Sequence, residues 1–595
     1  MKNRLYEVNQ KLIKVALGEE KADIVIQNGT FVNVITGELN EKVDVAISSG
    51  RIAYVGNADH TIGKGTTTID ATGKYIAPGL MDGHMHVEST MLTVTQFARI
   101  ALTKGTTSIF MDPHEIANVF GVEGVRLMHE EGQQLPLHVF TTFPSCVPAT
   151  EGLEDAGATL SVADIEDGLT WDNVVGLGEV MNFPGVVNRD SKMIGEVNAT
   201  MKAGKTVTGH FPDGSDQMLQ AYLAAGVNSD HETVTREQGL EKLRLGMYLM
   251  IREGSAWQDV KEVIKIITED KVNTDQILLV TDDVYPQTLV EKGHMNHVVQ
   301  RAIAEGVDPV TAIKLATINV ARYFKMAEDF GSVSPGKVAD VLILDDLKNM
   351  EPSTVIVSGE IVSRNQQLVT EIPNFDYPPH IKQSVHVKRK VEEADFAVQA
   401  KQNHDVATAN VIKVIENSAR TELVTFELPV TESGEVTVDL NQDVIKLACI
   451  DRHHQSGDIS VGFAHGFELK SGAVASTVAH DSHNLLVMGA KEADMVVAAN
   501  ALIELGGGMV VVDGGEVIAE VPMPIAGLMS DAPAETVVEQ VRDLVKGWEK
   551  LGCSIHAPFM TFSLIALPVI PSIRISNRGL VDVTNFQLID VIQSV

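Results

Sequence analysis

The stretch GLMDGHMHVEST, residues 79–90, leads from a glycine turn into two histidines that are separated by one residue. In a β-strand, residues i and i+2 face the same side, so His84 and His86 can direct two imidazoles at one ion. The pair by itself is weak evidence, because it is also compatible with a polar patch on a loop. Its meaning therefore depends on whether similar strand ends follow along the chain.

Seven further apolar runs that end in polar residues do follow, and helical patterns lie between them. The eight runs, between residues 75 and 284, are YIAPGLMDGHMH, TTSIFMDPHE, LHVFTTFPSC, VVGLGEVMN, TVTGHFPD, GVNSDHE, MYLMIREG and ILLVTDDV. Eight strands that alternate with helices over this span are typical of an α/β fold, the TIM (β/α)8 barrel. The alternative is an open doubly wound sheet; its dinucleotide-binding form lacks support because no GxGxxG follows an early strand.

Shorter strand-like segments with Asn-Gly, Thr-Gly and Ser-Gly turns lie on both sides of the predicted barrel. Their shared texture predicts one small β-sandwich domain that is split by the barrel. The Pro-rich stretch NFDYPPH, residues 374–380, precedes a separate segment with its own apolar runs. We therefore predict an N-terminal helix and the first part of the small β-domain at 1–75, the barrel at 76–330, the second part of the β-domain at 331–375, and an additional C-terminal α/β domain at 385–595.

Composition limits the class of protein. A chain of 595 residues is too long for one core, and a net charge of −33 argues against nucleic-acid and anionic membrane partners. The cysteines Cys146, Cys449 and Cys553 lie far apart, which excludes a CxxC motif and suits a reducing cytoplasm. We find neither a signal peptide nor an apolar run long enough to span a membrane. We expect a cytoplasmic protein without a membrane or nucleic-acid partner.

Metal-ligand residues recur at the predicted strand ends. Because these ends meet at one mouth of a TIM barrel, the side chains are expected to converge. A single divalent ion does not take six protein ligands and keep a position open for catalysis, whereas two ions bridged by a carboxylate and a water do fit. The pattern predicts metal-assisted hydrolysis on a barrel of the metal-dependent hydrolase type. The residues are His84, His86, Glu179, His210, His231 and Asp282, with Asp283 beside the last of them.

Other polar residues near these strand ends have more than one interpretation. Glu179 is the natural bridge between two ions, and the alternative is a salt-bridged glutamate at the barrel rim. Asp112, His114 and Glu115, in MDPHE, are candidates to support the ligands, to contact a substrate or to hold a further ion. The alternative for this segment is a capped helix start with solvated charges. Glu88, two residues beyond His86, is placed to reach a bound substrate.

These motifs resemble those of the amidohydrolase superfamily and, more closely, of its bacterial adenine deaminase family. The resemblance rests on PGLMDGHMH at the start of the barrel, GSVSPGKVADVLILDD at the return to the β-domain, and GHMHVEST, MDPHEIANVFG, GLGEVMNFPGV, GHFPD, SDHE and VTDDVYP. It covers nearly the whole chain. The most diagnostic part is C-terminal, where DRHH is followed by GFELKSGAVASTVAHDSHNLLVMG. Many amidohydrolases carry a modified lysine at this position of strand 4. Glu179 stands there in this chain, as a glutamate does in the adenine deaminase branch.

The resemblance implies hydrolytic deamination of a small-molecule purine, adenine, to hypoxanthine and ammonia, as in purine salvage. It implies two divalent metal ions, with Mn²⁺ or Fe²⁺ ahead of Zn²⁺. The mixed set of histidine and carboxylate ligands is itself compatible with all three ions. A bridging hydroxide would attack C6, and Asp282 would act as general base and then general acid. A homo-oligomer, a dimer, is expected. By position, the ligands would be His84, His86, Glu179, His210, His231 and Asp282; Glu88 is a catalytic candidate, and Asp112, His114, Glu115 and Asp283 are candidates for substrate contact or an accessory ion.

Two other functions stay open at this point. One is hydrolysis of another cyclic amide or amidine by a dihydropyrimidinase-like enzyme, which would lack this C-terminal domain. The other is a non-catalytic scaffold, although such proteins typically lose ligands and every ligand position here is filled. A cytidine-type zinc deaminase is excluded, because His86-Val87-Glu88 has no accompanying CxxC. The segment AHDSHN, residues 479–484, is a candidate to approach the mouth of its own barrel or of a partner's.

Overall fold

The computed structural model describes residues 4–401, 405–416 and 418–593. Residues 1–3 and 594–595, at the outer limits of the first and last predicted domains, lie outside the described residues. At the centre of the chain, eight parallel strands form a curled sheet and confirm the predicted TIM barrel. In chain order, barrel strands 1 to 8 are Leu80–Met85, Thr106–Met111, His138–Phe143, Val174–Val180, Thr206–Gly209, Ser229–Asp230, Tyr248–Arg252 and Ile277–Val280.

Barrel strands 1 to 5 and barrel strands 6 to 8 each form a continuous ladder. A parallel bridge between Met85 and Asp282 brings the end of strand 8 to strand 1. The main chain on both sides of this bridge is paired: His86 N donates to Asp282 O at 3.2 Å, and Asp282 N donates to His84 O at 3.1 Å. The closure therefore lies at the position where ligands were predicted.

Helices surround the barrel because their apolar faces pack on the outward side chains of the strands. Gly132 of the helix His114–Gln133, for example, lies so close to Val139 of strand 3 that an added Cβ would be 2.7 Å from it. The helices between residues 94 and 323 are Val94–Ala101, His114–Gln133, Val162–Gly168, Phe183–Val187, Ser191–Lys202, Asp216–Ala224, Arg236–Arg244, Val260–Val263, Lys265–Thr268, Pro286–Glu291, Met295–Ala304, Pro309–Leu315 and Ile318–Tyr323.

A nine-stranded sheet combines strands from before and after the barrel. The run YIAPGLMDGHMH, predicted as one strand, contains two: Tyr75–Pro78 in this sheet and Leu80–Met85 in the barrel. Gly79 joins them, and a Cβ there would overlap Thr107. The helix Leu5–Ala16 packs on the sheet through Leu12 and Val15. The strands are Ile24–Asn33, Glu38–Ser48, Arg51–Gly56, Thr67–Asp70, Tyr75–Pro78, Val341–Leu344, Pro352–Val357, Glu360–Arg364 and Gln367–Leu368.

The C-terminal part contains an eight-stranded sheet and a small three-stranded sheet. It lies against the barrel mouth of the same chain, where Ser530 N donates to Met91 O at 2.8 Å and Arg578 pairs with Asp155 at 2.6 Å. Its strands are Val406–Val414, Thr421–Pro429, Val444–Ile450, Ile459–His465, Ala473–Ser476, Leu485–Gly489, Gly508–Asp513, Glu516–Pro522, Ile573–Ser576, Gly579–Asp582 and Gln587–Ile589, and its helices are Glu492–Leu505, Ala534–Leu551 and Pro558–Leu564. In the described ranges, no helix is long and apolar enough to cross a membrane.

A buried ion pair fixes the ends of barrel strands 5 and 6. Lys242 Nζ lies 2.7 Å from Asp230 Oδ2, and Asp230 Oδ1 accepts a hydrogen bond from Phe211 N at 2.6 Å. The carboxylate of Asp230 therefore ties the residue after His210 to the residue before His231. Both charged side chains are buried, so removal of one partner leaves the other uncompensated.

We expect Lys242→Met to destabilise the protein by about 3–5 kcal/mol, since Asp230 is left as an unpaired buried charge. The measurement is the midpoint of unfolding by urea, monitored by circular dichroism. Lys265→Met, which removes a partly exposed lysine paired with Glu262 on a neighbouring helix, is the control and should not move the midpoint measurably. Equal midpoints for the two variants would contradict this account of the strand ends.

Candidate metal centre

Glu179 lies at the centre of a group of histidines at the barrel mouth. Its Oε1 is 3.2 Å from His86 Nε2. Its Oε2 is 2.6 Å from His210 Nδ1 and 3.1 Å from His231 Nε2. Glu179 is the second-last residue of strand 4, at the end that faces the mouth, while His210 and His231 directly follow strands 5 and 6. The two oxygens of one carboxylate thus face two different sets of imidazoles.

Asp282 closes the group on the side of strand 8. Its Oδ1 is 3.5 Å from His84 Nε2 and 3.3 Å from His86 Nε2, and its Oδ2 accepts from Arg252 Nη1 at 3.1 Å. The backbone of Asp282 is in the left-handed region, with φ of 63°. A non-glycine residue pays on the order of 1 kcal/mol for this conformation. The main-chain hydrogen bonds to strand 1 hold it there, so the carboxylate points into the group.

The donor atoms lie close enough together to hold metal ions. Unpartnered atoms support this: His84 Nε2, Asp112 Oδ1 and His114 Nδ1 are buried without a hydrogen-bond partner among the described residues. Buried polar atoms almost always have a partner, so the residues present fit divalent cations. Atoms within 4.8 Å of one another occur in the groups His84, His231 and Asp282; His84, His86 and Glu179; Glu179, His210 and His231; and His86, Asp282 and Asp283.

The electrostatics of the group favour ionised carboxylates, which in turn outweigh burial and raise the pKa of His86, and that of His231 to about 9, so a cation bound there would displace protons from these two imidazoles. Burial alone would raise the pKa of Glu179, but the imidazoles of His231 and His210 hold that pKa well below its usual range. His84 and His86 likewise outweigh burial and hold the pKa of Asp282 well below its usual range. Burial, together with His231, lowers the pKa of His84. Ionised carboxylates and a neutral imidazole are the forms that coordinate cations.

The segment MDPHE supports this group from strand 2. Asp112 Oδ2 accepts from Glu179 N at 2.7 Å, and His114 Nδ1 is 3.6 Å from Glu179 Oε1. A helix does begin at His114, but Asp112, His114 and Glu115 are all buried. Their charges therefore face the barrel mouth and are not solvated, in contrast to the alternative of a solvated helix start.

Glu88 lies beside the group of candidate ligands, whereas Asp283 belongs to one of its clusters, with His86 and Asp282. Glu88 Oε1 accepts from Ile116 N at 3.2 Å, while its Oε2 has no hydrogen-bond partner among the described residues. Burial and the neighbouring Glu115 raise the pKa of Glu88 to about 7. Asp283 accepts a hydrogen bond from Ser89 Oγ, and burial together with Asp282 raises its pKa. Both carboxyl groups are thus more readily protonated than Glu179.

The structure also brings together residues that the sequence analysis did not assign. Arg252, at the end of strand 7, contacts Asp282 and also Glu232, which follows His231. From the C-terminal part, His480 Nδ1 lies 2.6 Å from Glu115 Oε1, and His483 Nε2 contacts the other oxygen. The segment AHDSHN therefore approaches the mouth of its own barrel. The sequence features that could have pointed to these contacts are the arginine in MYLMIREG and the two histidines in AHDSHN.

Comparison with known proteins agrees with this geometry. Residues 75–362 match the amidohydrolase family, and residues 418–587 match the adenine deaminase C-terminal domain. An adenine deaminase of Moorella thermoacetica is 49% identical over 99% of this chain and 98% of its own. One from Clostridium botulinum is 48% identical with the same coverage, and adenine deaminase 3 of Rhizobium meliloti is 47% identical over 98% of this chain and 99% of its own.

This chain belongs to the adenine deaminase family. The match spans the amidohydrolase barrel and the C-terminal part together, so the two parts that meet at the barrel mouth are both features of adenine deaminases.

For this member of the adenine deaminase family, we expect Glu179→Gln to lower bound divalent metal to less than half of the wild-type content. The amide removes the negative charge shared by the two sets of imidazoles. The measurement is elemental analysis of the purified protein. Glu196→Gln, at a buried glutamate on the helix Ser191–Lys202, is the matched control and should keep its metal. Full metal retention in Glu179→Gln would show that this carboxylate is not a shared ligand.

Proposed function

We propose that this chain is an adenine deaminase, which converts adenine and water into hypoxanthine and ammonia. The observation that carries the proposal is the position of Glu179 between His86 on one side and His210 with His231 on the other. Full-length identity of 47–49% with curated adenine deaminases supports the choice of substrate.

We assign two divalent ions to the barrel mouth, with Mn²⁺ or Fe²⁺ ahead of Zn²⁺. This order rests on the resemblance to adenine deaminases, because a donor set of imidazoles and carboxylates without a thiolate is compatible with all three ions. Divalent ions held there lower the pKa of a bound water and so supply a hydroxide nucleophile near neutral pH. The ligands in this assignment are His84, His86, Glu179, His210, His231 and Asp282.

Asp282 is the proton carrier in the proposed reaction. Arg252 and the imidazoles of His84 and His86 keep its carboxylate ionised and oriented. An ionised carboxylate beside the reacting carbon can accept the proton of the attacking water and deliver it to the amine that leaves C6. The oxygen of water then stays on the ring as hypoxanthine, and the exocyclic nitrogen leaves as ammonia.

Glu88 is the second catalytic candidate, because its free Oε2 lies beside the cavity above the ligands. A carboxyl group with a pKa of about 7 can exchange a proton with a ring nitrogen of the purine near neutral pH. The remaining polar residues of the mouth are assigned to substrate contact ahead of an accessory ion, namely Asp112, His114, Glu115 and Asp283.

The cavity that would take the purine lies between the barrel mouth and the C-terminal part. Its polar side includes Glu88, Glu115 and His480, and its apolar walls include Met91, Met509 and Phe559. Apolar walls with a few convergent polar groups suit a flat heterocycle with ring nitrogens. This lining supports a purine base as the substrate.

The finer domain description and the setting of the enzyme are part of the proposal. A β-sandwich domain split between 1–75 and 331–375 is supported by the shared nine-stranded sheet, with the barrel at 76–330. A C-terminal domain at 385–595 is supported by the match over residues 418–587. A homodimer in the cytoplasm remains a prediction, which rests on the resemblance and on composition.

We expect the purified, metal-loaded protein to release ammonia from adenine and none from hydantoin or dihydrouracil. The C-terminal domain match favours the purine over the cyclic amides. The measurement is an enzyme-coupled ammonia assay for adenine, with chromatography for the carbamoyl acids that ring opening of the cyclic amides would form, at equal concentrations of each compound. Ring opening of the cyclic amides without ammonia release from adenine would replace the proposed function with a dihydropyrimidinase-like one.

Asp282→Asn should lower kcat for adenine by on the order of 10² or more, because an amide cannot carry the proton. Its metal content should stay at the wild-type level, since the other ligands remain. Asp275→Asn, at an exposed aspartate paired with Lys314, is the control with unchanged kcat. A rate for Asp282→Asn within a few-fold of wild type would remove Asp282 from the proton-carrying role.

A further inference from the structure

The loop AHDSHN, residues 479–484, brings His480 of the C-terminal part to the edge of the barrel mouth. Its Nδ1 lies 2.6 Å from Glu115 Oε1, a distance at which the ring N–H donates to the carboxylate. The other ring nitrogen, Nε2, is buried without a hydrogen-bond partner among the described residues. Since buried polar atoms almost always have a partner, this nitrogen marks a position for a group from outside the chain.

His480 lines the cavity assigned to the purine, together with Glu88 and Ser89 from the barrel. Ser89 Oγ donates to Asp283, the neighbour of Asp282. Ser89 thus connects the cavity wall to the residue next to the proton carrier.

The bond to Glu115 defines what Nε2 can do. A carboxylate that accepts from Nδ1 orients the imidazole and stabilises its protonated form. Nε2 is then available to donate to an unprotonated ring nitrogen. Purines present several such nitrogens at the edge of a flat ring, whose faces suit the apolar walls formed by Met509 and Phe559.

A third metal ion is the competing interpretation, because donor atoms of Glu115, His480 and His483 lie within 4.8 Å of one another. The contacts of His483 argue against it. Its Nδ1 accepts from Ala479 N at 3.1 Å, so in the neutral ring the proton is on Nε2, the atom that contacts Glu115. A ligating histidine normally donates with its second nitrogen. His483 therefore donates to Glu115 and helps to fix it.

We propose that His480 is a substrate-binding residue whose Nε2 hydrogen-bonds a ring nitrogen of the purine, with Glu115 and His483 as the residues that position it. The inference rests on the proposed function and deepens it. It assigns part of the purine pocket to the C-terminal part of the same chain, so the barrel alone holds an incomplete pocket.

The test compares two substitutions, each of which keeps a hydrogen-bonding nitrogen near the position of one of the two ring nitrogens. A glutamine amide can place its nitrogen near the position of Nε2, and an asparagine amide near that of Nδ1. We expect His480→Asn to raise KM for adenine about 10- to 100-fold, as for the loss of a charge-assisted hydrogen bond. His480→Gln should stay within about fivefold of wild type. The control His454→Asn removes another contact with the barrel, from His454 Nε2 to Ala156 O at 2.8 Å, and should leave KM unchanged.

Adenine analogues that lack one ring nitrogen test the same contact in the wild-type protein, where no variant needs to fold. One of 1-deaza-, 3-deaza- and 7-deazaadenine should bind at least tenfold more weakly than adenine in calorimetry, and His480→Asn should remove that difference. Equal binding of adenine and all three analogues by wild type would overturn the assignment. So would a wild-type KM in His480→Asn.

Metal analysis of the same variants separates the two interpretations of the cluster. Unchanged metal content in both His480 variants supports substrate binding, whereas loss of one ion per chain in both would overturn it in favour of a third metal site. Wild-type protein that releases no ammonia from adenine would overturn the proposed function. The assignment of His480 would then be decided by the binding of adenine and its analogues alone.

Discussion

The rest of the barrel mouth depends on the interaction of the buried Glu179 carboxylate with the imidazoles around it. An ionised carboxylate costs several kcal/mol to remove from water unless it is paired and hydrogen-bonded. Here His86, His210 and His231 face its oxygens, and Asp112 accepts from its backbone N–H. Such compensation requires the ends of strands from opposite sides of the barrel to meet within hydrogen-bond distance. The closure of strand 1 on strand 8 through Met85 and Asp282 supplies that geometry.

The segment MDPHE connects this centre to the C-terminal part of the chain. Asp112 contacts the backbone of Glu179, His114 lies between Glu179 and Glu115, and Glu115 contacts the two histidines of AHDSHN. Adjacent residues of one strand end thus face the ligand group, the cavity and the covering sheet. Glu115, His480 and His483 are all buried, and electrostatic interactions are stronger in such surroundings than in water.

The barrel and the clustering of its candidate ligands could be predicted from the sequence because their signals are local. Each strand end carries its polar residues within a few positions of an apolar run, and the TIM fold brings such ends together. His84, His86, Glu179, His210, His231 and Asp282 all lie where this argument places them. The role of Asp112 was left open, because its partner is a backbone N–H and no side-chain pattern records it.

Contacts between distant segments could not be predicted in the same way. His483 and Glu115 are 368 positions apart, and neither residue lies in a periodic pattern that points to the other. Arg252 is the last residue of strand 7 and lies in the run MYLMIREG, but its pairing with Asp282 depends on the curvature of the sheet. The division of YIAPGLMDGHMH into two strands depends on the close approach of Thr107 to Gly79, a tertiary contact that overrides a continuous apolar run.

Anomalous diffraction from crystals grown with Mn²⁺ tests the central claim most directly. The account predicts two peaks at the barrel mouth, roughly 3.5–4 Å apart, each within ligand distance of one oxygen of Glu179. A single peak, or two peaks that both lie away from Glu179, would contradict a metal pair shared by this carboxylate.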